Sequence, residues 1–212
     1  MAAAFAKANR GELNMNATYT VQRSDIVQAS VNLSNAAGKT YTLAELTRFI
    51  VETSDNTATN IVMRHIGGVE AVNAEIRRMG YTKTYMQRYM HDAAAINAGL
   101  DNYINAQEAG DLIRNIYNKT LINSSMDGTM IQNLSNNYYP LWLPATIRSK
   151  AFVIDKPGNH GGFGVENDIA VISKNGRAYA VAVLTEGTGS NGLTHTQLFA
   201  QFGEAILAQL EN

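Results

Sequence analysis

Two hydrophobic rhythms divide the chain. Up to about residue 135 apolar residues recur at helical spacing, and beyond Pro140 they gather in short runs. From Thr42 onward, Leu43, Leu46, Phe49 and Ile50 stand at i, i+3, i+6 and i+7, which predicts a helix. A second helix is expected over Asn56–Ile66, ended by Gly67-Gly68. A third is expected over 69–79, ended by Gly80, with Val72 and Ile76 on one face. Asn105 opens a fourth through an N-x-x-E pattern to Glu108, with Leu112, Ile113 and Ile116 facing inward, and 125–134 is a fifth. The alanine-rich start has high helix propensity, and Gly11 ends it. Residues 14–39 show no clear period and read as loop with short irregular pieces. Residues 151–155, 168–173 and 178–184 are short runs rich in Val, Ile and Ala, and Lys174-Asn175-Gly176 is a hairpin signal between the last two. An amphipathic helix over 194–210 closes the chain, with Leu198, Phe199, Phe202, Ile206 and Leu210 at helical spacing. The expected class is α+β: one domain, 1–212, with a mainly helical lobe to about 147 and a sheet with its covering helix from about 148.

Composition narrows the chemistry. The 212 residues carry a net charge of −1, so no basic excess exists to bind nucleic acid through counterion release. No apolar run approaches the roughly 18 residues of a membrane span. With 0 cysteines there is no disulfide framework, thiol nucleophile or cysteine-bound metal. Gly187-Thr188-Gly189-Ser190-Asn191-Gly192 is a literal G-x-G-x-x-G, but no strand or acidic ribose ligand follows it, so it reads as a strand-to-helix loop. His65, His91, His160 and His195 form no HxxxH or HxH pair, and neither a metal nor a cofactor is implied.

Two short segments gain force together. Ser54-Asp55-Asn56 lies between two helical patterns, where such residues are also good caps. Lys156-Pro157-Gly158 stands at the end of the run AFVID, before a glycine-rich loop, where a lysine can hold an anion or simply make a turn.

With 40–81 around the first segment and 151–187 around the second, the chain resembles class A serine β-lactamases and their penicillin-binding relatives. Their motif set is S-x-x-K, S-D-N and K-T-G. The resemblance covers nearly the whole chain. It implies acyl transfer from a β-lactam or a D-Ala-D-Ala-like peptide to a serine. Ser54 matches the S-D-N serine, a proton relay near the leaving nitrogen. Asn56 would hydrogen-bond the substrate's amide side chain, and Asp55 would be structural. Lys156 would help hold the substrate carboxylate. Gly158 and Asn159 belong to the substrate-binding strand, the Asn159 amide matching an oxyanion-hole donor, typically worth about 3 kcal/mol.

Three departures stand out. No S-x-x-K occurs in the 212 residues, and in the family that motif precedes the stretch matching residues 1–13, so the acylating serine is expected upstream of Met1. Pro157 replaces the threonine of K-T-G, removing a hydroxyl and a backbone donor. Arg88-Tyr89-Met90 matches the R-x-E of the Ω-loop with methionine in place of the glutamate, and a thioether is no general base. Arg88 and Asp92 are assigned structural roles. Poor deacylation of penicillins is expected even of a complete version. The family sheet has five strands and only the last three are matched here, so 178–184 is expected to be an edge covered by a swapped strand, a second copy or the closing helix. The competing expectation is a non-catalytic module that binds penicillin or peptidoglycan peptides. Such relatives work outside the cytoplasm.

Overall fold

The computed structural model describes residues 1–139, 141–160, 164–187 and 195–212. They form two compact units, Met1–Asn105 and Ala106–Asn212.

The first unit is helical. Helix α1 (Ala2–Asn9) buries Ala3, Ala4, Phe5 and Ala6, and the Lys7 ammonium donates to the carbonyl of Ile66 at 3.0 Å. Helix α2 (Leu43–Glu52) starts at Thr42, which shares a capping box with Glu45. Helix α3 (Asn56–Ile66) is capped by Asp55, and α4 (Val69–Arg78) follows after Gly67-Gly68. Leu43, Leu46, Ile61, Val62 and Ile66 form the core with Val21 and Leu33.

Residues 14–39 were expected to be irregular, and the structure corrects this. Thr18–Thr20 (β1) pairs antiparallel with Thr40–Thr42 (β2). Both strands read Thr-Tyr-Thr, β-branched and aromatic residues that suit a pleated, half-buried surface, but three residues are too few to show a period. A short helix, α5 (Ala93–Asn97), was also not foreseen.

The second unit is a three-stranded antiparallel sheet, β3 (Phe152–His160), β4 (Val165–Lys174) and β5 (Arg177–Thr185), in the order β3-β4-β5. Helices α6 (Ala106–Tyr117) and α7 (Ser124–Ser135) pack on the strands with α8 (Thr196–Glu211). The unit boundary therefore falls ahead of the change in pattern at Pro140, because α6 and α7 belong with the sheet. Alternation sorts the sheet's faces. Val153, Ala170, Ile172, Val181 and Val183 meet Phe199, Leu207 and Leu210 of α8. On the other face Tyr117 donates to the Ser173 hydroxyl at 2.9 Å, and Gly110 passes close to Ala182. Asn175 and Gly176, with φ of 55° and 75°, make the two-residue turn between β4 and β5.

Strand β3 runs on through Pro157 to His160, whereas a strand end was expected at Asp155. Proline is tolerated because β3 is an edge strand. At the other edge, α8 reaches the face of β5 and not its rim: among the described residues β5 pairs with β4 alone, and Arg177–Ala180 are exposed. Gly187 is described, and the rest of the glycine-rich hexapeptide lies outside the described residues, as does Thr194.

Candidate active-site segments

The Ser54-Asp55-Asn56 turn is built from side chains. Asp55 is fully buried; one carboxylate oxygen accepts the amide of Ala58 at 2.9 Å, and the other accepts those of Asn32 and Leu33 at 2.8 and 3.0 Å. This carboxylate thus caps α3 and fastens the 32–33 segment to the turn. Thr57 and Ser30, hydroxyl to hydroxyl at 2.7 Å, add a second tie. Ser54 is half-buried with φ of 55°, a left-handed backbone that a serine rarely adopts.

Asn56 begins α3, and its side-chain amide is the hub of the turn. It donates to the carbonyls of Gln28 and Ala29 at 3.3 and 3.2 Å and lies 3.2 Å from Nε2 of His91. Ala29 and His91 are themselves left-handed, with φ of 54° and 56°. Three strained residues therefore gather around one amide, and such strain concentrates at functional sites. In the sequence His91 stands out only as a possible metal ligand; its approach to Asn56 is a tertiary effect.

The segment bearing His91 is a long loop closed at its neck. Tyr85 and Tyr103 exchange backbone hydrogen bonds of 3.0 and 2.8 Å and stack their rings. Arg88 donates to Asp101 at 2.7 Å, holding the loop across its width. Met90 is pinned through its backbone by the Asn60 side chain, and Asp92 caps α5 by accepting the amide of Ala95 at 3.1 Å.

Lys156, Gly158 and Asn159 lie along β3. Lys156 sits on the sheet face opposite α8, and its ammonium donates to the carbonyl of Pro157 at 2.6 Å. Burial lowers its pKa to about 8, against the pull of Asp155. Gly158 and Asn159 are exposed. Beneath Lys156, Asp155 is paired to Arg148 at 2.5 Å and accepts from the Asn137 amide at 2.7 Å. Neither Asp155 nor Asp168 stood out in the sequence, because only the β3–β4 register brings them to one face. Among the described residues no three His, Asp or Glu side chains gather as a metal set, and no helix is long and apolar enough to cross a membrane.

The family model described as the β-lactamase enzyme family matches residues 1–210. The chain belongs to that family. A curated relative, β-lactamase ROB-1 of Haemophilus influenzae, is 35% identical over 166 residues, covering 76% of this chain and 53% of its own. This β-lactamase-family chain thus spans about half the length of ROB-1. β-Lactamase CARB-3 of Pseudomonas aeruginosa is 25% identical over 94% of this chain and 70% of its own. Among solved structures, an ancestral class A β-lactamase superposes with a TM-score of 0.87 at 25% identity, covering 98% of this chain and 81% of that one. The chromosome-encoded β-lactamase of Vibrio parahaemolyticus gives a TM-score of 0.87 at 20% identity over 98% of this chain and 80% of its own, a likeness of fold. The α+β architecture is that of class A β-lactamases.

Proposed function

We propose that this chain supplies the substrate-holding part of β-lactamase-like acyl transfer, on β-lactams or D-Ala-D-Ala-like peptides. Lys156 would meet the ligand's carboxylate. Asn56 would meet its amide side chain, Ser54 would relay a proton, and Gly158 and Asn159 would line the ligand along β3. Asp55, Arg88 and Asp92 would hold the segments that carry them. The observation that carries this reading is the strained turn around Asn56, an amide held in place by two carbonyls and an imidazole. With no S-x-x-K in its 212 residues, the chain would bind such ligands without being acylated.

A fluorescent penicillin tests this. Saturable anisotropy, lost in K156A and N56A, with no label surviving denaturation, is the expected result. Absence of saturable binding would sink the reading, and a label that survives denaturation would show that the chain has its own nucleophile.

A second reading rests on the bare rim of β5. We propose that two copies join there, antiparallel about Val181. That register sets Tyr179 against Val183 of the other copy and brings Arg177 beside Thr185 and Glu186, a self-complementary pairing. The rim carries no proline or lysine from Ala178 to Thr185, whereas the opposite edge has both Lys156 and Pro157. Tyr179, Leu198 and Phe202 are exposed alongside, at 44%, 58% and 48%. Light scattering is expected to show a dimer that Y179K splits without loss of helix signal; a monomer at high micromolar concentration would contradict the pairing.

A further inference from the structure

Behind the Lys156 strand lies a cluster of acids that the ligand-binding reading does not use. Asp155 of β3 and Asp168 of β4 are both fully buried, and the register pairs Asp155 with Ala170 and Pro157 with Asp168. Both carboxyl groups therefore project from the α8 face, one step apart on adjacent strands. They are not equivalent. Arg148 and Asn137 serve Asp155. Among the described residues Asp168 receives a single donor, the amide of Leu143 at 3.1 Å, and its other oxygen, Oδ1, is buried with no hydrogen-bond partner.

The Leu143 contact is built at some cost. Trp142 just before it is left-handed, with φ of 59°, a conformation costly for a bulky residue. The elements packed against Asp168 bring few charged groups to it. On β3 these are Asp155, already paired, and Lys156, whose side chain leaves by the opposite face. On the 142–150 segment Arg148 is committed to Asp155. On β4 itself Glu166 shares the face and lies 4.0 Å from His195, at the start of α8. On β5 the partner of Asp168 is Val183. The remaining acids of α8, Glu204 and Glu211, are exposed. A carboxylate with one amide donor in such a place is poorly compensated, and a buried group of this kind neutralises itself by keeping its proton.

We propose that Asp168 works as a neutral carboxylic acid, hydrogen-bonded to the Leu143 amide, so that the buried face behind Lys156 carries no second negative charge. Arg148 and Asp155 then close as one ion pair, and the Lys156 ammonium is not drawn on by another carboxylate behind its strand. Burial and the neighbouring Asp155 push Asp168 well above the ordinary carboxylate range, in the same direction as the geometry. Only the consequence for ligand binding rests on the role proposed for Lys156.

Carbon-13 NMR of the aspartyl carboxyl groups in the full chain, without ligand, reads the proton directly. The Asp168 carboxyl, assigned through bonds to its own backbone amide, should keep the protonated shift at pH 7. A carboxylate shift there would overturn the proposal. Melting against pH gives a second reading. A group that holds its proton more tightly folded than unfolded contributes stability in acid, and that contribution is lost as pH rises through the raised folded value. D168N removes this slope, so it should melt above the wild type at pH 8, by about 3 °C, and close to it at pH 4. A D168N protein melting below the wild type at pH 8 would contradict the proposal. Because neither measurement involves a ligand, their failure is separable from a failure of K156A to alter penicillin binding.

Discussion

Asp55 and Asp168 are both fully buried aspartates beside a candidate binding segment, yet they are built in opposite ways. Asp55 gathers three backbone amides from two stretches of chain and shapes the turn that carries Ser54 and Asn56. Asp168 has one amide and an idle oxygen, and the neighbouring strand β3 is already held by nine register pairs with β4. A loop needs a side chain to organise it, because its backbone groups have no ladder. A strand supplies its own, which leaves the acid beneath it free to do something else.

The sharpest way to break this contrast is to remove the Asp55 carboxylate. D55A strips three amides of their acceptor, and a loss of about 3 kcal/mol or more in urea unfolding is expected, with D55N losing less. A loss under about 1 kcal/mol would mean that the turn organises itself. The strand side is broken from behind instead. A Cβ on Gly203 would lie 2.1 Å from the carbonyl oxygen of Leu143, so G203A must push α8 off the segment that serves Asp168. Overpacking of this kind costs about 1–3 kcal/mol, again read by denaturant melts.

Charge sharpens the comparison further. Lys156 is charged below about pH 8 and neutral above it. Penicillin affinity is therefore expected to be flat below that pH and to fall by up to about tenfold per unit above it, as a single required proton is lost. K156R should move the fall to higher pH. The smallest effect belongs to the hairpin that fixes the β4–β5 register. G176A places a side chain at φ of 75° and should cost about 1 kcal/mol in thermal unfolding.

Much of this was legible in the sequence because local chemistry and global fold agree. Thr42 and Glu45 announce the start of α2, and Asn175-Gly176 announces the hairpin. The two Thr-Tyr-Thr strands were not legible, since each is shorter than the period that would reveal it. Strand β3 outruns its apolar stretch, which stops at Asp155, because the ladder continues through polar residues and Pro157 stands on an edge. In the candidate site the two tripeptides could be read as motifs. His91 could not be tied to Asn56, 35 residues away, nor Asp155 to Asp168, because tertiary folding and strand register made those neighbours.

Lys156 is proposed to receive the ligand's carboxylate, and a crystal structure of the chain with a bound penicillin tests that role most directly. The predicted result places the carboxylate within hydrogen-bond reach of the Lys156 ammonium. A penicillin bound with its carboxylate away from Lys156 would contradict it.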